Sequence, residues 1–159
     1  MAKVIALCGK ICSGKSTYAE KIRGDNNAVV LNPDTILLTL FDENLGDRHE
    51  DIFEKVRIYL YQMAENIINT GTNVILDFGL WTYKERRDIR LFFTKRDINI
   101  EIHYVNTPLK IIESNIKKRN RIRNGVNYYI DDSILNKGLS LFEEPDNSET
   151  DLVIEDFVL

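Results

Sequence analysis

The sequence predicts an α/β fold built on a five-stranded parallel sheet, and two observations carry this prediction. Short apolar runs typical of buried strands alternate with longer amphipathic runs along the whole chain. The first apolar run, residues 4–8, leads directly into a glycine-rich turn and then a helical segment. At 159 residues the chain has the size of one domain, so we expect all these elements to share one fold.

The elements of the first half are predicted from apolar runs and their boundaries. Residues 4–8 predict the first strand, and residues 17–23 the helix after it, closed by Gly24. Residues 28–31 predict a short second strand that ends at Asn32-Pro33-Asp34. A helix is expected at 35–41, and the longest helix at 52–67, where apolar residues recur at helical spacing. Asp47 and Glu50 resemble a capping box for that helix.

The second half repeats this alternation. Residues 73–77 predict the third strand, which Asp77 closes, and Thr82 with Glu85 forms a second capping box for the next helix. The fourth strand, residues 98–105, leads to Pro108 in the first turn of a helix that ends in a basic run. The run Asp131-Asp132-Ser133 is expected to cap the last helix, and residues 151–155 predict the fifth strand.

Composition indicates an ordinary globular protein and disfavours several classes. No apolar stretch approaches the roughly 20 residues of a membrane helix, so no membrane association is predicted. The net charge of −4 argues against a broad nucleic-acid-binding surface, which leaves nucleic acid as a disfavoured partner. No cleavable hydrophobic segment precedes the first strand, which favours a cytoplasmic protein.

The turn after the first strand carries the strongest functional signal. Residues 9–17 read GKICSGKST and match the phosphate-binding pattern G-x-x-x-x-G-K-[ST], the P-loop. Glycines are needed there because backbone N–H groups can then turn toward phosphate oxygens without a side chain in the way. The predicted nucleotide contacts in this loop are Gly9, Ile11, Cys12, Ser13, Gly14, Lys15, Ser16 and Thr17.

Three side chains of the loop have predicted chemistry. Lys15 is expected to place a positive charge at the β- and γ-phosphates, and Ser16 to offer its hydroxyl to Mg²⁺. Cys12 is either a small, partly buried loop residue or an oxidisable cysteine, because the positive field of the loop favours a thiolate. The chain is therefore predicted to bind a nucleoside triphosphate together with Mg²⁺.

Other classes of nucleotide-binding protein fit less well. Residues 136–139 read NKGL and lack the aspartate that would read guanine. Residues 77–79 read DFG as in protein kinases, but no HRD motif is present and the chain is too short for that fold. These exclusions favour a small phosphotransferase.

The order of five motifs resembles one known family. The motifs are GKICSGKST at 9–17, NPD at 32–34, DFGLWT at 77–82 followed by Arg86, KRN at 118–120 and FEEP at 142–145. In this arrangement nearly the whole chain resembles the AAA_33-type predicted kinases, relatives of chloramphenicol phosphotransferase, zeta toxins and polynucleotide 5′-kinases. The resemblance implies an adenylate-kinase-like α/β core with helices on both faces of the sheet. It also implies transfer of the γ-phosphoryl group of ATP to a hydroxyl group.

The resemblance gives roles to residues outside the P-loop. It implies that Asp34 orients the acceptor hydroxyl and accepts its proton; the alternative is a cap for the helix at 35–41. Asp77 is expected to hold Mg²⁺ through water or to help bind the acceptor, unless it is only a turn residue. Arg86 is expected to reach an anionic group of the substrate, or else to be exposed. Trp81 could line the acceptor pocket or only pack.

The resemblance also predicts a small lid around residues 117–130, where related kinases carry arginines that neutralise charge between the β- and γ-phosphates. Arg119 is the best match and is expected to be catalytic together with Lys15 and Asp34. Arg119 and Arg123 are the expected nucleotide contacts, with Arg121 as an alternative lid arginine. The chain departs from the family at Asn115, where a first lid arginine often stands.

The acceptor is the least determined part of the site. Polynucleotide 5′-kinases usually carry an arginine three residues after the catalytic aspartate, whereas this chain has Leu37. The apolar wall of Ile36 and Leu37 favours an uncharged or partly apolar hydroxyl compound, unless both are core residues. The expected acceptor is thus a small molecule or nucleotide. A polynucleotide 5′-hydroxyl kinase and a non-catalytic nucleotide-dependent binding module are the alternatives.

Overall fold

Five parallel strands form the centre of the protein, as seen in a computed structural model that describes residues 1–41, 45–122 and 128–155. They are β1 (Lys3–Cys8), β2 (Ala28–Leu31), β3 (Asn73–Leu76), β4 (Asn99–Asn106) and β5 (Leu152–Glu155). Their spatial order is β2-β3-β1-β4-β5, and every neighbouring pair is parallel. All five predicted strands are confirmed to within one residue at each end.

Six α-helices and one short 3₁₀ helix connect the described strands. The α-helices are α1 (Lys15–Arg23), α2 (Pro33–Leu40), α3 (His49–Asn69), α4 (Tyr83–Thr94), α5 (Leu109–Arg121) and α6 (Asp132–Leu141). The 3₁₀ helix, Gly46–Arg48, precedes α3. Within the described residues, no helix is both long enough and apolar enough to cross a membrane.

Side chains of β1 alternate between two apolar cores, one on each face of the sheet. Val4, Ala6 and Cys8 belong to the core that contains Leu60 of α3 and Phe93 of α4. On the other face, Ile5 and Leu7 share a core with Tyr18 and Ala19 of α1. A strand that is buried on both faces is typical of the centre of a parallel sheet. The expected arrangement of helices on both faces is therefore confirmed.

Two of the three predicted caps on the later helices are confirmed and one is wrong. The Thr82 side chain accepts a hydrogen bond from the Glu85 N–H, and the Glu85 carboxylate accepts one from the Thr82 N–H. Asp131 caps α6 by accepting from the Ile134 N–H. Asp47 caps nothing, because the chain there forms the 3₁₀ helix and α3 begins at His49 without a side-chain cap.

The topology brings three segments to one edge of the sheet. The P-loop follows β1, residues 32–34 follow β2, and Asp77 follows β3. Because β1, β2 and β3 are consecutive in the sheet, the residues after their carboxyl ends lie side by side.

Candidate active site

The P-loop between β1 and α1 has the backbone that its glycines were expected to allow. Gly14 has a φ of 90° and precedes the first residue of α1. A Cβ added to Gly9 would lie 2.7 Å from Ser13 Oγ and 2.9 Å from the Val105 carbonyl oxygen, so a larger residue does not fit. Cys12 also has a positive φ, 53°, which a residue with a side chain rarely adopts. The loop is thus held in one specific shape.

Two side chains from outside the loop hold this shape. The Thr107 hydroxyl donates to the Ser13 carbonyl at 2.7 Å, and the Asn115 amide donates to the Cys12 carbonyl at 3.0 Å. The sequence interpretation gave neither residue this role. Asn115, which stands where a lid arginine was considered, supports the loop instead. Its position one turn before Arg119 places both on the same side of α5, and this spacing is the signal that could have identified it.

Lys15 is held inside the loop by neutral oxygens. Its Nζ donates to the carbonyl oxygens of Gly9 at 3.0 Å and Lys10 at 2.7 Å. Burial lowers the pKa of Lys15, and the nearby Asp77 carboxylate partly opposes this shift. An ammonium group without a directly bonded carboxylate is suited to receive an anion, because phosphate oxygens would compensate for its loss of solvation.

Asp77 lies at the end of β3 with an exposed fraction of 7%. Its Oδ2 accepts hydrogen bonds from Ser16 Oγ at 2.6 Å and from Asn32 Nδ2 at 2.8 Å. Burial raises the pKa of Asp77, while the hydrogen bond from Ser16 and the charge of Lys15 act in the opposite direction.

Asp34 stands in the first turn of α2 and does not cap that helix. Asn32 is the cap, because its Oδ1 accepts from the backbone N–H groups of Asp34 at 2.8 Å and Thr35 at 3.4 Å. The alternative reading of Asp34 as a cap is therefore wrong. Burial raises the pKa of Asp34, and Arg119 is the strongest charge that opposes the shift. Asp34 and Arg119 line the same crevice.

That crevice has a volume of about 420 Å³ and brings the predicted residues together. Ser16, Asp34, Asp77 and Arg119 line it in common. Ile36 of α2, Leu60 and Met63 of α3 supply apolar lining, whereas Leu37 is fully buried in the protein. Leu37 is thus a core residue and not part of an acceptor wall, because α2 turns it toward the interior.

Arg119 is the lid arginine candidate that the structure places at the crevice. Its Nη1 lies 3.7 Å from Cys12 Sγ, and its Nε donates to the Tyr128 carbonyl oxygen at 3.2 Å. Arg121 is exposed and does not line the crevice. Arg123 and residues 124–127 of the expected lid lie outside the described residues. The Cys12 thiol is also less acidic than the loop field suggested, because burial raises its pKa more than Arg119 and Lys15 lower it.

Arg86 departs most from its predicted role. It has an exposed fraction of 2%, its Nε donates to Glu149 Oε2 at 2.7 Å, and its Nη1 donates to the Leu80 carbonyl oxygen at 2.9 Å. It does not line the crevice, so both substrate contact and solvent exposure are corrected to a buried ion pair. Trp81 also does not line the crevice; its ring lies against Gly79 and Gly138.

The donor set beside the P-loop fits Mg²⁺ of the kind that a nucleotide brings with it. Among residues 1–41, 45–122 and 128–155 no cluster of three or more His, Cys, Asp or Glu side chains could hold a metal by itself. Ser16 and Asp77 supply one hydroxyl and one carboxylate at 2.6 Å from each other. Mg²⁺ commonly takes such a pair and completes its shell with water and phosphate oxygens.

The sheet order, the P-loop and the adjoining carboxylate define a P-loop NTPase fold of the kinase-like kind. The family model AAA_33, described as an AAA domain, matches residues 4–145. The chain belongs to that family, and the family resemblance noted in the sequence is confirmed. No curated protein matches the sequence.

Three solved structures illustrate the likeness in fold. Kti12 of Chaetomium thermophilum, in complex with ADP-AlF3, is 15% identical over 95% of this chain and 88% of that chain, with a TM-score of 0.73. The APS kinase CysC of Mycobacterium tuberculosis, with AMPPNP and APS, is 21% identical over 96% and 87%, with a TM-score of 0.67. A chain of the Pnkp1/Rnl/Hen1 RNA repair complex is 23% identical over 88% of this chain but only 43% of that chain, with a TM-score of 0.69.

Proposed function

We propose that the protein is an ATP-dependent phosphotransferase that moves the γ-phosphoryl group to a hydroxyl of a small molecule or nucleotide. The observation that carries the proposal is the convergence of Ser16, Asp34, Asp77 and Arg119 on one crevice beside the P-loop. Phosphoryl transfer requires mainly positioning and charge compensation, and these side chains provide both. The kinases among the structural neighbours are consistent with this chemistry.

Each residue has a defined task in the proposed reaction. The P-loop amides and Lys15 bind the triphosphate, and Arg119 compensates charge on the phosphoryl group. Ser16 and Asp77 would hold Mg²⁺, which neutralises phosphate charge when bound. Asp34 orients the acceptor hydroxyl and receives its proton as the hydroxyl oxygen bonds to the γ-phosphorus and the bond to ADP breaks. A raised pKa suits a carboxylate that must accept this proton.

The apolar side chains that line part of the crevice favour an acceptor with an uncharged, partly apolar body. Ile36, Leu60 and Met63 supply apolar side chains to its lining, and α1 supplies Ser16 and Arg23. Ser16 and Arg23 are seven positions apart, which corresponds to about 10 Å along a helix. Arg23 itself is paired with Glu20 at 3.2 Å. An acceptor that fills this crevice would contact the apolar side chains of α2 and α3 while its hydroxyl lies at Asp34.

The test is transfer of label from [γ-³²P]ATP to a panel of hydroxyl compounds that includes nucleosides and a 5′-hydroxyl oligonucleotide. We expect Lys15→Ala and Asp34→Asn each to lower transfer by at least about 100-fold, the scale of one lost transition-state contact or proton acceptor. Arg87→Ala, on an exposed part of α4, is the matched control and should retain wild-type transfer. Full transfer by Asp34→Asn would refute the assigned base.

Two other outcomes separate the alternative functions. Preferential labelling of the oligonucleotide would identify a polynucleotide 5′-hydroxyl kinase. Tight ATP binding without transfer to any acceptor, together with no effect of Asp34→Asn, would indicate a non-catalytic nucleotide-dependent module.

A further inference from the structure

The Asn32 side chain makes two connections at once. Its Oδ1 accepts from the Asp34 N–H at 2.8 Å and from the Thr35 N–H at 3.4 Å, which caps α2. Its Nδ2 donates to Asp77 Oδ2 at 2.8 Å. The two halves of one amide therefore contact the segment that carries Asp34 and the carboxylate that lies beside Ser16.

A carboxamide of this length is the side chain that meets both requirements. Asp, Asn and Ser cap helices about equally well, so capping alone does not require Asn. An aspartate has no N–H to donate to Asp77, and the single hydroxyl of a serine is shorter than the amide. The choice of Asn at this position is thus explained by the bond to Asp77 and not by the cap.

The hydrogen bond from Asn32 to Asp77 is not needed to hold the two strand ends together, so its role is to orient the Asp77 carboxylate. The Asp77 N–H already donates to the Leu31 carbonyl oxygen at 2.9 Å, so the backbone holds the two strand ends together without Asn32. The amide of Asn32 in addition fixes how the Asp77 carboxylate is rotated. Asn32 and Ser16 both donate to Oδ2 of Asp77, and no side chain among the described residues donates to Oδ1.

We propose that Asn32 is a positioning residue that sets the Asp77 carboxylate and the Asp34 turn in a fixed relative geometry for phosphoryl transfer. The expected effect of Asn32 on phosphoryl transfer rests on the proposed function. The expected effect on Mg²⁺-dependent binding rests only on nucleotide binding. Asn32 is itself part of the lining of the crevice. In the proposed role it acts through its hydrogen bonds to Asp77 and to the turn that carries Asp34.

Two variants separate positioning from capping. Asn32→Ser keeps a capping side chain, and Asn32→Asp keeps the cap but points an oxygen instead of an N–H at Asp77. We expect kcat to fall by about 10- to 100-fold in both, the scale of a lost hydrogen bond to a charged group, while the KM for ATP in the presence of Mg²⁺ rises only several-fold.

A binding measurement makes the test independent of turnover. The ratio of nucleotide affinities in Mg²⁺ and in EDTA should fall several-fold in both Asn32 variants relative to wild type, because the Asp77 carboxylate is no longer oriented. Asp131→Ser changes the cap of α6 in the same way and is the matched control. It should keep the wild-type ratio, and urea unfolding should report only the small effect of exchanging one capping side chain for another.

The outcomes distinguish the two proposals. If wild type transfers no phosphate but both Asn32 variants lose Mg²⁺ dependence, the proposed function fails and the role of Asn32 toward Asp77 stands. If the Asn32 variants keep both wild-type kcat and the wild-type Mg²⁺ ratio, Asn32 is a helix cap and the inference is overturned.

Discussion

Asp34 shows at the scale of one residue how the site lowers the stability of the fold. Burial raises the pKa of its carboxyl above the ordinary value of 3.8. At pH values between the unfolded-state pKa and the raised folded-state pKa, the native state therefore binds more protons than the unfolded state. The stabilisation by the protonated carboxyl is complete below about pH 3.8 and is lost as pH rises through the folded-state pKa.

We therefore predict that Asp34→Asn increases the free energy of unfolding at pH 7 while it abolishes phosphoryl transfer. The difference from wild type should shrink as the pH falls toward 4, because the wild-type carboxyl becomes protonated there. Urea unfolding at pH 4, 5.5 and 7 measures this dependence.

Asp146 provides a control of opposite sign. It is exposed, and hydrogen bonds from Ser148 lower its pKa. Asp146→Asn should therefore destabilise the protein at pH 7, and this difference should disappear in acid. If Asp34→Asn and Asp146→Asn changed the free energy of unfolding in the same direction at pH 7, the assigned burial of Asp34 and hydrogen bonding of Asp146 would be contradicted.

Arg86 leads to a second prediction at the residue scale. Its buried ion pair with Glu149 joins α4 to the segment before β5. Arg86→Ala leaves a buried carboxylate and the Leu80 carbonyl without their donor, so we expect a loss of about 3–5 kcal/mol in the free energy of unfolding. The exposed neighbour in Arg87→Ala should change it by less than about 0.5 kcal/mol. Wild-type stability of Arg86→Ala combined with lost acceptor binding would restore a substrate role.

At the scale of elements, two similar sequence patterns give a matched test of helix caps. Thr82 and Glu85 form a capping box on α4, whereas Asp47 lies in a 3₁₀ helix and caps nothing. We expect Thr82→Ala to lower the free energy of unfolding by about 1 kcal/mol, as is typical of a lost cap. Asp47→Ala should stay within about 0.5 kcal/mol of wild type. Thermal unfolding followed by circular dichroism checks both, and a larger loss for Asp47→Ala would contradict the 3₁₀ assignment.

Helices and strands were easier to predict from the sequence than contacts between distant residues. The strands follow from local apolar runs, and their sequence positions are confirmed to within one residue. The cap of α3 was predicted wrongly because Asp47 and Glu50 satisfy the capping pattern while the backbone tightens into a 3₁₀ turn. The bond from Asn32 to Asp77 joins residues 45 positions apart, and no local pattern reports such a contact. Arg86 was mistaken for the same reason, since its partner Glu149 is 63 positions away.

At the scale of the whole molecule, the candidate site consists of segments that the sheet brings together. The P-loop, Asp34 and Asp77 follow three neighbouring strands, and Arg119 reaches them from α5. This convergence follows from the rule for parallel sheets, because the P-loop, Asp34 and Asp77 each follow a strand that the sequence predicted. The sequence could not predict which side chains point into the crevice. Leu37 and Ile36 are adjacent in the chain, yet only Ile36 lines it.

This arrangement makes overall stability sensitive to nucleotide. A ligand that binds only the folded state at 100 times its Kd stabilises that state by about 2.7 kcal/mol. For a domain of this size each kcal/mol raises Tm by roughly 2–4 °C, so we expect saturating ATP with Mg²⁺ to raise Tm by about 5–10 °C. Differential scanning calorimetry with and without the ligand measures the shift.

Two variants assign that shift to the P-loop. Lys15→Ala should lose most of it, because the triphosphate then lacks its point charge and the Gly9 and Lys10 carbonyls lack their donor. Arg87→Ala should keep it. If ATP with Mg²⁺ leaves the Tm of wild type unchanged, the protein does not bind this nucleotide and the proposed transfer reaction fails with it. A shift that is equal in wild type and Lys15→Ala would place the binding site elsewhere in the molecule.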